Sequence, residues 1–160
     1  MQHRIRSAGI LIENNSILLL HVQDESGEYW IPPGGGFEAT DLTTKECLRR
    51  EFFEEAGLAV KVGELICVRE FLETRLNRYN AEFFYHIVEF DGAPHLSNLV
   101  GLNDADFIQG IEWVAIDEVK HLRTYPADMT HLIQLVRSQQ FSVHLGSYIQ
   151  GEQDHINQFS

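Results

Sequence analysis

Three glutamates, Glu51, Glu54 and Glu55, stand at i, i+3 and i+4 in a stretch with helical patterning, so they project from one side of a helix. A solvated acidic face is the ordinary meaning of such spacing, but the surroundings argue against it. Like charges at i and i+4 destabilise a helix by roughly 0.2–0.5 kcal/mol per pair. The cluster occupies the last turns, beside the negative end of the helix dipole, where cations are preferred. Gly57 follows at once and suits the left-handed position that ends a helix. Local rules broken this often within one turn mark a functional site. A divalent cation would turn the repulsion into attraction: Mg²⁺ takes carboxylate oxygens, keeps several waters and shares its other positions with substrate phosphates. Arg49 and Arg50 offset part of the repulsion, but both precede the cluster.

A second chemical element lies upstream, where Tyr29-Trp30-Ile31 leads into Pro32-Pro33-Gly34-Gly35-Gly36. Without β-carbons, the three glycines let the backbone turn sharply and approach a ligand closely. Arg69, Arg75 and Arg78, with Tyr79 beside them, concentrate three of the chain's 12 basic residues. Arginines there could clamp a phosphate bidentately while the aromatic ring stacks on a base. Cross-strand ion pairs with Glu70, Glu73 and Glu82 explain the same residues equally well. Tyr29 and Trp30 read as core or hairpin packing, and His21 and His86 as packed or hydrogen-bonded rather than ligating.

These groups need a frame. Residues 4–12 and 16–23 are β-rich runs joined by a tight turn at Asn14-Asn15, which predicts an N-terminal hairpin. Thr43 with Glu46 forms a capping box, Asp41 being a rival cap, and the helix should run to about Ala56. Residues 59–72 and 81–90 read as a long antiparallel pair, 95–109 as a loop and 111–116 as a short strand. Asp117 is placed to start a helical turn. Met129, Leu132, Ile133 and Val136 then mark a C-terminal amphipathic helix. Beyond Ser147 the chain is polar and reads as a loose tail.

Composition narrows the partners. A chain of 160 residues favours one domain with one core. With 24 acidic against 12 basic side chains the formal charge is −12, which repels a nucleic-acid polymer but admits a small phosphorylated molecule whose charge a metal offsets. No run is long and apolar enough to predict a membrane span. Cys47 and Cys67 are too few and too far apart for a zinc or disulfide framework. As ordinary buried thiols they fit a cytoplasmic location.

The string from Gly36 to Leu58 resembles the signature of the Nudix hydrolases: Gly, five residues, Glu, seven residues, then Arg-Glu-apolar-x-Glu-Glu-x-Gly-apolar. Gly36, Arg50, Glu51, Phe52, Glu54, Glu55, Gly57 and Leu58 match with intact spacing, and the flanks are similar, including Glu112-Trp113-Val114. Leu42 stands where the family has its first Glu, and a leucine can neither bind metal nor pair with Arg50. Asp41 or Glu38 could substitute.

The resemblance implies an α/β (α+β) fold, a mixed curved sheet between helices, formed by residues 1–145 with a tail at 146–160. It also implies Mg²⁺ or Mn²⁺ on Glu51, Glu54, Glu55 and the Gly36 carbonyl, with Arg50 orienting the carboxylates. Glu54 is the first candidate for the base that accepts the attacking water's proton, with Glu55 beside it. Glu82, Asp106 and Glu112 are alternative bases, although surface or strand-edge roles suit them better. The expected reaction is hydrolysis of a nucleoside diphosphate linked to another group, or of a nucleoside triphosphate. ADP-ribose pyrophosphatases often carry a proline shortly past the box, and here none occurs between Pro33 and Pro94. The alternative is a catalytically weakened nucleotide-binding or regulatory domain. A homodimer is an open expectation.

Overall fold

In the computed structural model, residues 1–102, 105–149 and 155–157 are described. In chain order the elements are β1 (Gln2–Ile10), β2 (Ile12–Glu13), β3 (Ser16–Asp24), β4 (Gly27–Ile31), β5 (Gly34–Gly36) and α1 (Thr44–Ala56). There follow β6 (Ala59–Glu73), β7 (Arg78–Asp91), β8 (Ile108–Ala115), α2 (Ile116–Val119), α3 (Met129–Arg137), β9 (Ser147–Ile149) and β10 (His155–Asn157). One sheet has the order β5-β1-β7-β6, with β1 parallel to β7 and the other pairs antiparallel. In the second, β3 pairs with β8 and with both β2 and β4.

The N-terminal hairpin is shorter than the sequence predicts. Asn14 and Asn15 both take positive φ, 49° and 59°, the geometry of a two-residue hairpin turn. That turn joins only Ile12–Glu13 to β3. β1 belongs to the other sheet, where its nine residues run parallel to β7. The long pair β6–β7 extends past its predicted limits into the polar stretch, because Glu73 and Arg78 still face each other across it. At the C-terminus, Ser147–Ile149 pairs antiparallel with His155–Asn157, so part of the expected loose tail forms a ladder.

The two longer helices, α1 and α3, cover opposite faces. Ile17 and Leu19 of β3 pack with Ala8, Ile10 and Phe84 against Met129, Leu132, Ile133 and Val136 of α3. Leu18, between them, packs instead with Leu48, Phe52 and Ala56 of α1. Burial on both faces explains why β3 carries an unbroken apolar run rather than an alternating one. Gly9 lets α1 sit close to β1, since a β-carbon there would come 2.5 Å from Phe52 Cε2.

Candidate active site

Helix α1 begins as its sequence directs. The Glu46 N–H donates to Thr43 Oγ1 at 3.1 Å, while Glu46 Oε2 accepts from the Leu42 N–H at 3.0 Å. Gly57 ends it at φ 68°, its N–H donating back to the Phe53 carbonyl at 3.1 Å. One stripe, Leu48-Phe52-Ala56, enters the core. The adjacent stripe, Cys47-Glu51-Glu55, is also buried and lies against β5. Two of the three glutamates therefore sit on the helix edge that meets the glycines, and Glu54 is half-buried beside them.

The glycines serve space rather than a sharp turn. None of Gly34, Gly35 and Gly36 has positive φ, and all three pair with β1 as an extended strand. A β-carbon on Gly34 would lie 2.3 Å from the Ser7 carbonyl oxygen. On Gly35 it would lie 2.3 Å from Glu51 Oε1, and on Gly36 2.8 Å from Arg4 Nε. The Gly34 N–H, left accessible in this way, donates to Glu55 Oε2 at 2.9 Å.

Arg50 organises the remainder. Its Nη1 donates to Glu51 Oε1 at 2.9 Å and Glu54 Oε2 at 3.2 Å, and its Nη2 to the Gly36 carbonyl at 2.9 Å. The other edge of the guanidinium meets Asp41 bidentately, Nε to Oδ1 at 3.0 Å and Nη2 to Oδ2 at 2.8 Å. Asp41 is buried and also accepts from the Glu38 N–H at 2.9 Å. Asp41 thus supplies the partner for Arg50 that Leu42, 58% exposed, cannot. Glu38 contributes only a 3.7 Å approach from an exposed side chain.

Protonation follows from these contacts. Burial pushes Asp41 up, but the Arg50 hydrogen bond and charge, with the Glu38 N–H, outweigh it and hold the carboxyl below its ordinary value. For Glu51 burial wins: its carboxyl rises, Glu54 adding to the effect and Arg50 opposing it. Burial also pushes the Cys47 thiol up to about 12, so this buried cysteine is a packing group.

The carboxylates open into a cleft of about 400 Å³ lined by Glu51, Glu54, Glu55, Gly36, Arg4 and Leu99. Leu99 reaches it from a segment fastened to the end of α1. The Asn98 side-chain amide donates to the Phe53 carbonyl at 2.9 Å, and the His95 N–H to the Ala56 carbonyl at 2.9 Å. A second cavity, of about 540 Å³, has Tyr29, Phe71 and Tyr125 in its walls. A passage of about 320 Å³ touches both, since Glu55 lines it with Arg6 and Tyr29.

Strand register builds the floor of the aromatic cavity. Glu82 on β7 faces Arg6 on one side and Arg69 on the other, and one step along Asn80 faces Arg4 and Phe71. Arg69 Nη2 donates to Glu82 at 3.1 Å, with Arg6 Nε 3.9 Å from the same carboxylate. Asn80 spends its amide N–H on Glu73 at 2.9 Å. Among the described residues two buried side-chain atoms make no hydrogen bond, Asn80 Oδ1 and Arg69 Nε, and both belong to residues of this cavity.

Of the proposed phosphate cluster, Arg69 alone reaches these cavities. Arg75 is exposed on the turn between β6 and β7, Arg78 pairs with Glu73 at 2.7 Å, and Tyr79 donates to Glu70 at 2.7 Å. Those are the cross-strand contacts of the plainer reading. Glu82 lies in the aromatic cavity, whereas Asp106 and Glu112 are exposed and line none of the three cavities. Trp30 and His86 pack as expected, Trp30 stacked on His21 at 4.4 Å and His86 on Phe141 at 5.7 Å. Tyr29, read as packing, is a cavity wall. Arg4, Arg6, Phe71, Asn80 and Tyr125 escaped the sequence reading. The i, i+2 spacing of Arg4 and Arg6 on one strand face was the available signal.

A two-layer sheet core between helices, with a carboxylate-bearing helix stacked on a glycine strand, defines a class of hydrolases, and the comparisons agree. The NUDIX domain model matches residues 3–136, and the chain belongs to the Nudix hydrolase family. The E. coli ORF135 protein is 22% identical with a TM-score of 0.68, over 88% of this chain and 94% of that one. A MutT NUDIX hydrolase from Burkholderia pseudomallei is 21% identical with a TM-score of 0.69, over 84% of this chain and 99% of that one. A UDP-X diphosphatase is 19% identical with a TM-score of 0.63, over 87% of this chain and 64% of that one. At these identities the likeness speaks for the fold. Members of the family cleave diphosphate bonds and generally use divalent cations. Among the described residues no helix is long and apolar enough to cross a membrane.

The donor set suits such a cation. Three carboxylates and a main-chain carbonyl offer only hard oxygen ligands, the set Mg²⁺ and Mn²⁺ prefer. Among the described residues no three acidic, histidine or cysteine groups already stand in coordinating positions. Glu51 and Glu54 are turned to Arg50 and Glu55 to the Gly34 N–H.

Proposed function

We propose that this enzyme hydrolyses the diphosphate bond of a small nucleotide-type molecule, a nucleoside triphosphate or a nucleoside diphosphate carrying a sugar or similar group. The observation that carries this reading is the junction of two unlike cavities, one lined by glutamates and the other by aromatic rings. Glu51, Glu54 and Glu55, with the Gly36 carbonyl, would hold Mg²⁺ or Mn²⁺. Once bound, the cation supplies charge that neutralises the diphosphate, polarises the phosphoryl oxygen and acidifies the attacking water. Glu54, the least buried of the three glutamates and 3.2 Å from Arg50, would accept that water's proton. Glu55 is anchored by the Gly34 N–H at 2.9 Å.

The weakened-binding-domain reading drew its support from Leu42. The bidentate Asp41–Arg50 pair gives Arg50 the carboxylate partner that Leu42 cannot be, which weighs against that reading. Phosphate release across nucleoside triphosphates and nucleotide sugars, with Mg²⁺ and with Mn²⁺, tests the proposal. Cleavage of at least one substrate class, abolished by chelation, is expected. Silence across the whole panel would refute it.

A further inference from the structure

Among the described residues, Arg4 is the one residue that lines both the carboxylate cleft and the aromatic cavity. It is also the one basic residue in the cleft lining, because Arg50 lies behind the carboxylates, bound to Asp41 and the Gly36 carbonyl. We propose that Arg4 grips the phosphate beside the scissile bond while a planar ring on the same substrate occupies the aromatic cavity. This rests on the diphosphate-hydrolase reading above.

The backbone fixes where Arg4 stands. Its strand is held on one side by β7, which sets Arg4 opposite Asn80, and on the other by β5. Gly36 then leaves the space that the guanidinium uses, since a β-carbon there would meet Arg4 Nε at 2.8 Å and Nη2 at 2.9 Å. A guanidinium presents paired donors that match two phosphate oxygens, and it stays charged at any working pH. Arg6, two residues on, is engaged by Glu82 and lines the ring end rather than the cleft. A phosphate approaching the glutamates in a chain of net charge −12 meets Arg4 at the boundary between the two spaces.

Calorimetric titration with two methylene-bridged probes in Mg²⁺ separates the parts. Methylenediphosphonate has no ring, and α,β-methylene-ATP adds one. Arg4→Gln should weaken both by about tenfold or more, the scale of one charge-assisted hydrogen bond. Arg4→Lys should recover part of the loss. Tyr29→Ala should weaken the ATP analogue alone. Ligand-free melting temperatures accompany each titration, and the lysine variant, which keeps charge and stem, decides the matter if Arg4→Gln loosens β1. Affinities within twofold of wild type for Arg4→Gln on both probes would overturn the role of Arg4. An ATP analogue bound no more tightly than methylenediphosphonate by wild type would overturn the ring arm. A wild-type protein that binds neither probe would overturn the underlying diphosphate reading.

Discussion

Replacing Asp41 with asparagine isolates the contact that stands in for the missing glutamate. The substitution keeps the shape but ends the bidentate grip on Arg50, whose side chain is 20% exposed against 5% for Asp41. Asparagine keeps one acceptor oxygen, so one charge-assisted hydrogen bond, worth about 1.5–3 kcal/mol, is lost and the other is left to a neutral acceptor. Arg50 keeps Glu51, Glu54 and the Gly36 carbonyl, and the combined loss is about 2–4 kcal/mol. For a chain of this size that corresponds to a melting temperature lower by roughly 5–15 °C at pH 7. The pH dependence has a definite sign. A carboxylate held below its ordinary value of 3.8 stabilises fully above that value and loses its contribution as the pH falls through it towards the folded-state value. The gap between wild type and Asp41→Asn should therefore narrow between pH 5 and pH 3. Thermal denaturation followed by circular dichroism at several pH values measures both quantities. A melting temperature within 1 °C of wild type at pH 7, or a gap that stays constant on acidification, would refute the assignment.

Three further outcomes are expected. Leu42→Glu should change stability by no more than about 0.5 kcal/mol, because the position faces solvent and Arg50 is already paired, and turnover should match wild type or exceed it; complete loss of activity would show that the loop is built differently. Glu54→Gln should lower kcat by about 10²–10⁴-fold with the fold retained, as seen by steady-state kinetics beside a melt, and unchanged turnover would remove Glu54 as base. Alanine at Gly34 and at Gly35 should fail in different ways. The Gly34 variant meets main chain at Ser7 and should lose about 1–3 kcal/mol of stability, whereas the Gly35 variant displaces the Glu51 carboxylate and should lose metal-dependent activity with a smaller change in melting.

The helix and its glutamates were legible because their determinants are local: the Thr43 cap, the Gly57 stop and the 3.6-residue period lie within one segment. What the sequence understated was the answer to the crowding, since Arg50 precedes the cluster in the chain yet reaches Glu51 and Glu54 in space. Asp41 and Glu38 were equal candidates on paper. Burial and the Glu38 N–H separate them, and both depend on how the loop folds back. The aromatic cavity was hidden for a different reason. Its floor comes from a parallel register between β1 and β7, segments far apart in the chain, and no short-range pattern specifies that Arg4 will face Asn80. The arginine group near Tyr79 looked functional because it is dense in sequence, but the strand register pairs Arg78 with Glu73 and Tyr79 with Glu70 at the far end of the β6–β7 pair, and Arg75 stands exposed on the turn.

The Arg50 contacts also bear on how a cation enters and leaves. Arg50 gives Glu51 and Glu54 an internal counter-ion, so on the proposed reading an incoming cation would compete for these carboxylates rather than fill an empty trap. Asp41 and the Gly36 carbonyl tether the guanidinium throughout, so the displaced charge stays within reach for the reverse exchange. Such a site would favour a divalent ion over a monovalent one, which competes less well with the arginine. On the proposed reading, release of a divalent ion would let the same arginine neutralise the like charges again.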